Sequence, residues 1–121
     1  MSQLKEGLNR RLFMGLFHYE SHYAVYEPGA FYKKHLDALK GSQNRLLTTV
    51  FFLNPEWQEN DGGQLVIYDE FDLPLDVISP QLGTLVIFLS ERFPHEVKPT
   101  FKTRNSIAGW FSVCNATISA A

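Results

Sequence analysis

Four histidines stand at positions 18, 22, 35 and 95. His35 is followed by Leu36 and Asp37. On an extended strand, residues i and i+2 point to the same face. An imidazole nitrogen and a carboxylate oxygen placed that way can reach one metal ion. His95 opens a second short β-prone stretch, and facing strands of a double sheet would bring it to the same ion. Two neutral imidazoles and one carboxylate leave three coordination positions open, an arrangement suited to non-haem Fe(II). His-x-Asp by itself also occurs by chance in many proteins, and His95 before Glu96 also fits a turn cap.

Arg104 and Ser106 add to this set. Alternation along a strand puts both on one face. A guanidinium there can hold a carboxylate through two parallel hydrogen bonds, with the Ser106 hydroxyl beside it. An open metal site plus an inward Arg suits a dicarboxylate, one end on the metal and the other on Arg104. The alternative for Arg104 is a surface charge next to Lys98 and Lys102.

The elements that must position these residues read mainly as strands. His22–Tyr26, Phe31–Leu36, Leu46–Leu53, Gln64–Tyr68, Thr84–Leu89, Pro94–Pro99 and Ser106–Val113 are β-branched, aromatic or apolar runs. Thr84–Leu89 reads as a buried strand. Pro94–Pro99, bounded by prolines, reads as short or at an edge. Glu27-Pro28-Gly29 and Asn60-Asp61-Gly62-Gly63 are turn signals. The loop before Gly62 and the acidic, proline-bearing stretch Asp69–Pro80 read as connections. Residues 4–17 place Leu4, Leu8, Leu12 and Phe13 at helical spacing, which predicts an amphipathic helix. Short strands separated by frequent turns predict an antiparallel sandwich or barrel.

Composition bounds the function. The chain has 121 residues, enough for one domain over 1–121. Eleven basic and 13 acidic residues give a net charge of −2, so no basic field exists for nucleic acid. No run approaches the ~20 apolar residues of a membrane span. One cysteine, Cys114, excludes an intrachain disulfide and a cysteine-based zinc site, which suits a cytoplasmic setting.

The stretches HYAVYEPGAFYKKHLD, LLTTVFFLNPEW, NDGGQLVIY and GTLVIFLSERFPHEVKPTFKTRNSIAGWF occur in this order between His22 and Phe111. They resemble the core of the prolyl hydroxylases that use Fe(II) and 2-oxoglutarate. The likeness is greatest to bacterial members related to the hypoxia-inducible-factor prolyl hydroxylases. It implies a double-stranded β-helix, or jelly roll, with an N-terminal helix packed on the major sheet. It implies that His35, Asp37 and His95 hold iron, that Arg104 anchors the far carboxylate of 2-oxoglutarate, and that Ser106 sits beside it. Leu65, Val97 and Tyr26 are expected along the co-substrate slot, with Tyr32 and Trp110 at the substrate mouth. The implied reaction is hydroxylation of a prolyl residue in a protein, with O₂ consumed and ascorbate stimulating. Elongation factor Tu is the substrate that bacterial relatives suggest.

Three departures accompany the resemblance. Relatives often carry Tyr where Phe52 stands and Thr where Ala108 stands. One lost hydrogen bond to a charged group costs about 1.5–3 kcal/mol, or about tenfold or more in co-substrate affinity. The chain also starts well inside the usual span of the catalytic domain, and an uncovered sheet edge invites a homodimer. Two other functions stay open: an oxygenase acting on a small molecule, and a non-catalytic jelly-roll remnant that binds or oligomerises. A zinc hydrolase on the same ligands gives Arg104 no role. His18 and His22 read as structural or surface residues, Lys33-Lys34 as a solvated pair, and Glu56–Asp61 as a solvated turn.

Overall fold

A computed structural model describes residues 16–37 and 45–113. Eight strands make up this part: β1 (Leu16–Tyr26), β2 (Tyr32–His35), β3 (Arg45–Phe52), β4 (Leu65–Tyr68), β5 (Pro74–Ile78), β6 (Leu85–Leu89), β7 (His95–Val97) and β8 (Arg104–Val113). They form two four-stranded antiparallel sheets, a major one in the order β1-β8-β3-β6 and a minor one in the order β2-β7-β4-β5. The two sheets close face to face as a jelly roll. Among the described residues, no helix is long and apolar enough to cross a membrane.

Register decides what the major sheet presents to the minor one. Four rows cross its inner face: Glu20, Trp110, Thr48 and Phe88; His22, Ala108, Val50 and Val86; Ala24, Ser106 and Phe52; Tyr26 and Arg104. The minor sheet answers with Tyr32, Val97 and Leu65 in one row and His35, His95 and Ile67 in the next. At the β3–β6 and β4–β5 side, Phe52, Phe88, Leu65, Ile67 and Val97 pack into the buried core. Toward β1 and β2 the same inner faces part, and a cavity of about 320 Å³ opens between them. Burial of those five side chains stabilises the closure by about 1.5–3 kcal/mol each.

Several sequence expectations change. The helix predicted over residues 4–17 lies largely outside the described residues, and where the two overlap, Leu16 and Phe17 are already in β1. Residues 69–80 are not merely connecting: β5 runs through them, with Pro74 as its first residue. Proline is tolerated there because β5 is an edge strand. Thr84–Leu89 is not a buried strand. Its counterpart β6 is the edge strand of the major sheet, and alternation turns Leu85, Ile87 and Leu89 outward, where they are exposed, and Phe88 into the core. The strand between Pro94 and Pro99 is short as expected, yet central, lying between β2 and β4. Its prolines flank the ladder and remove no donor from it.

The turn signal at Asn60–Gly63 becomes a single 3₁₀ turn, Glu59–Asp61, followed by two glycines at φ +77° and +68°. Asp61 caps the turn through the Gln58 N–H at 2.8 Å. The Trp57 indole N–H donates to the Gly62 carbonyl at 2.9 Å. Gly63 has a second reason to be glycine: a Cβ there would stand 2.9 Å from Arg104 Cδ. The loop that looks like a simple connection therefore forms one wall around Arg104.

Candidate active site

His35 and His95 meet as direct partners on neighbouring strands of the minor sheet, not across the two sheets. Their rings lie 4.3 Å apart. Asp37 follows β2 and turns its carboxylate back toward them. Its Oδ1 stands 3.3 Å from His35 Nε2 and 3.3 Å from His95 Nε2. Ligand atoms of all three residues lie within 4.8 Å of one another.

The chemistry of this donor set fits a divalent metal. His35 Nδ1–H donates to the Lys33 carbonyl at 2.8 Å, and His95 Nδ1–H donates to the Phe93 carbonyl at 3.1 Å. Each bond fixes a tautomer and turns Nε2 toward Asp37, as metal-ligating histidines require. Burial pushes the Asp37 carboxyl up, but the neighbouring His35 and His95 side chains and the Thr48 hydroxyl outweigh it and hold the group well below the usual carboxylate range. Burial lowers His35, and its bonds to Asp37 and to the Lys33 carbonyl reverse the sign and raise it. The surroundings of Asp37 thus favour its ionised form, the form a metal ligand needs.

Arg104 lies in the same cavity. It is 2% exposed, which removes the surface-charge alternative. Its Nε–H donates to the Gly63 carbonyl at 2.7 Å. The Tyr26 and Phe52 rings flank the guanidinium with centroids at 5.1 and 5.0 Å. Among the described residues no carboxylate pairs with it. Burial without a counter-charge lowers its pKa to about 10, the Tyr26 phenol partly opposing the shift. An uncompensated buried cation is costly unless an anion joins it. Arg104 therefore marks the cavity as an anion site.

The remaining predicted residues fall on the same cavity wall: Ser106 beside Arg104, Leu65 and Val97 from the minor sheet, Tyr26, Tyr32 and Trp110. Tyr32 is 51% exposed and stacks on His35 at 4.1 Å, which puts it at the rim. Ala108 lines the cavity and offers no hydroxyl. Lys34 turns away, pairing with Asp72 at 2.8 Å and lying over the Tyr68 ring. Sequence reading missed Thr48, Arg45 and His22, all of which line the cavity. Thr48 and Arg45 lie in a β-prone run or at its border and carry no local signal. His22 carried one, its i+4 relation to Tyr26 on the inner face of β1, and its ring meets Trp110 at 5.2 Å.

The model of the 2OG-Fe(II) oxygenase superfamily matches residues 21–112. The chain belongs to that superfamily. The hypoxia-inducible factor prolyl hydroxylase of Caenorhabditis elegans is 40% identical over 86 residues, covering 69% of this chain and 12% of that protein. A prolyl-4-hydroxylase of Pseudomonas putida superposes with a TM-score of 0.88 at 42% identity, over 94% of this chain and 63% of its own. A prolyl hydroxylase of Trichoplax adhaerens, in complex with a hypoxia inducible factor oxygen degradation domain peptide fragment, gives a TM-score of 0.84 at 29% identity. That match covers 99% of this chain and 56% of the other. The chain thus spans a small part of the curated worm relative and less than two thirds of either structure.

Proposed function

We propose that this chain is the catalytic core of an Fe(II)- and 2-oxoglutarate-dependent oxygenase that hydroxylates a prolyl residue in a protein. The observation that carries the reading is Arg104: a buried guanidinium with no acidic partner among the described residues, in one cavity with a His-Asp-His donor set. A ligand that answers both must carry a chelating end and a carboxylate end. 2-Oxoglutarate has that form.

In this reading His35, Asp37 and His95 hold iron through two Nε2 atoms and one carboxylate oxygen. With 2-oxoglutarate and O₂, bound iron supplies the oxidising power, and succinate and CO₂ are the co-products. Arg104 binds the far carboxylate through its Nη groups, since Nε is committed to Gly63. The Ser106 hydroxyl is a second donor to that carboxylate. Leu65, Val97 and Tyr26 narrow the slot and exclude water around the chain of the co-substrate. Tyr32 and Trp110 form the wall nearest the metal position and orient the substrate. Orientation and exclusion of water are the protein's share of the rate.

A protein substrate is favoured because Tyr32 on the cavity wall is 51% exposed, an aromatic face at the rim that a peptide can cover. The named relatives and the peptide complex support a prolyl target. Elongation factor Tu is the first candidate, with a cytoplasmic setting. Incubation of the chain with Fe(II), 2-oxoglutarate, ascorbate and proline-bearing peptides of that protein tests this. The expected result is one added oxygen on a prolyl residue, matched by an equal yield of succinate. Succinate formed to the same extent with and without every peptide would overturn the peptide reading.

A further inference from the structure

Asp37 is held from behind by two donors, neither of which is in the proposed ligand set. The Thr48 hydroxyl donates to Asp37 Oδ2 at 2.7 Å, and the Trp110 indole N–H donates to the same oxygen at 3.1 Å. Thr48 and Trp110 are cross-strand partners of β3 and β8, so register alone brings both donors to one oxygen. A hydroxyl carries one proton, and that of Thr48 goes to the carboxylate. The Ser90 hydroxyl, 2.8 Å from Thr48, therefore donates to it. Ser90 and Thr48 are buried, at 0% and 2% exposure. Behind Trp110, the Arg45 guanidinium lies 4.0 Å over the ring, and its Nη1 donates to the Asp37 main-chain carbonyl at 3.3 Å. Both the indole and the backbone of Asp37 are thereby fixed.

We infer that Thr48 and Trp110, backed by Ser90, are positioning residues that commit Asp37 Oδ2 to the protein and leave Oδ1 alone to face the metal position. The inference rests on the proposed metal site. Its consequence is the number of open positions. A carboxylate that binds through one oxygen leaves three, enough for a chelating co-substrate and O₂. One that binds through both leaves two.

The test uses Co(II) as a visible probe on the purified chain and three variants. Thr48→Val keeps the branched shape and removes the donor. Thr48→Ser keeps the donor. Trp110→Phe removes the second donor without altering the buried hydroxyls. Loss of an outer partner of a metal ligand typically costs about 10–100-fold in affinity. Thr48→Val should lose that much Co(II) affinity and alter the visible band as the freed oxygen takes a second position. Thr48→Ser should bind like the parent, and Trp110→Phe should shift in the same direction as Thr48→Val. Equal losses in Val and Ser, or parental binding and spectra in both Val and Phe, would overturn the inference while leaving the metal site standing. If the parent chain takes up no Co(II), the metal-site reading itself falls and the inference falls with it. Trp110→Phe carries the test if Thr48→Val does not fold.

Discussion

Replacing His95 by alanine should abolish 2-oxoglutarate turnover and leave the jelly roll folded. His95 supplies one of two imidazole nitrogens facing Asp37, and it is the more deeply buried of the pair. Removing an outer partner costs up to about 100-fold in metal affinity, and a direct ligand should cost more than that. The ring touches Phe88 at 4.8 Å but stands on the cavity wall outside the core cluster. The stability cost should stay within the ~0.5–3 kcal/mol of an ordinary substitution. Fe(II) affinity and 2-oxoglutarate consumption, read beside a near-ultraviolet circular dichroism spectrum, check the result. Turnover that survives in the variant would remove His95 from the metal set.

Arg104→Ala should raise the 2-oxoglutarate KM steeply while iron still binds. Two charge-assisted hydrogen bonds to a carboxylate are worth about 1.5–3 kcal/mol each, about 3–6 kcal/mol together. At 1.4 kcal/mol per factor of ten, that is about 10²–10⁴ in affinity. Phe52 beside the guanidinium has no hydroxyl to share the load, so the loss should lie at the upper end. Arg104→Lys should recover only part of it. Lysine keeps the charge but has neither the fork nor the Nε–H that bonds Gly63. An unchanged KM in Arg104→Ala would take Arg104 out of the co-substrate role.

The candidate site residues were legible because their types are rare and their spacing is local. His35 and Asp37 are two apart, and Arg104 and Ser106 alternate on one strand. What periodicity could not give was register. Nothing near Thr48 or Trp110 in the sequence says that they are cross-strand partners, yet that pairing brings both to Asp37 Oδ2. Nor does spacing distinguish facing sheets from adjacent strands, and His35 and His95 proved to be adjacent. The strand pattern held for β3 and β4, whose β-branched, aromatic and aliphatic runs are unbroken. It missed β5, where Pro74 and Asp76 mask alternation at an edge; it located β6 but misjudged its burial, since that apolar run is half outward. At the other end, helical spacing over residues 4–17 ran into a stretch that is strand from Leu16 onward.

Anaerobic titration of the purified chain with Fe(II) and then 2-oxoglutarate tests the central claim most directly. A chelated 2-oxoglutarate on iron gives a weak visible charge-transfer band. The expected result is a saturable band that needs both components and is lost in His95→Ala. A folded chain that gives no band would contradict it, and the jelly roll would then stand as a binding or oligomerising remnant of its superfamily.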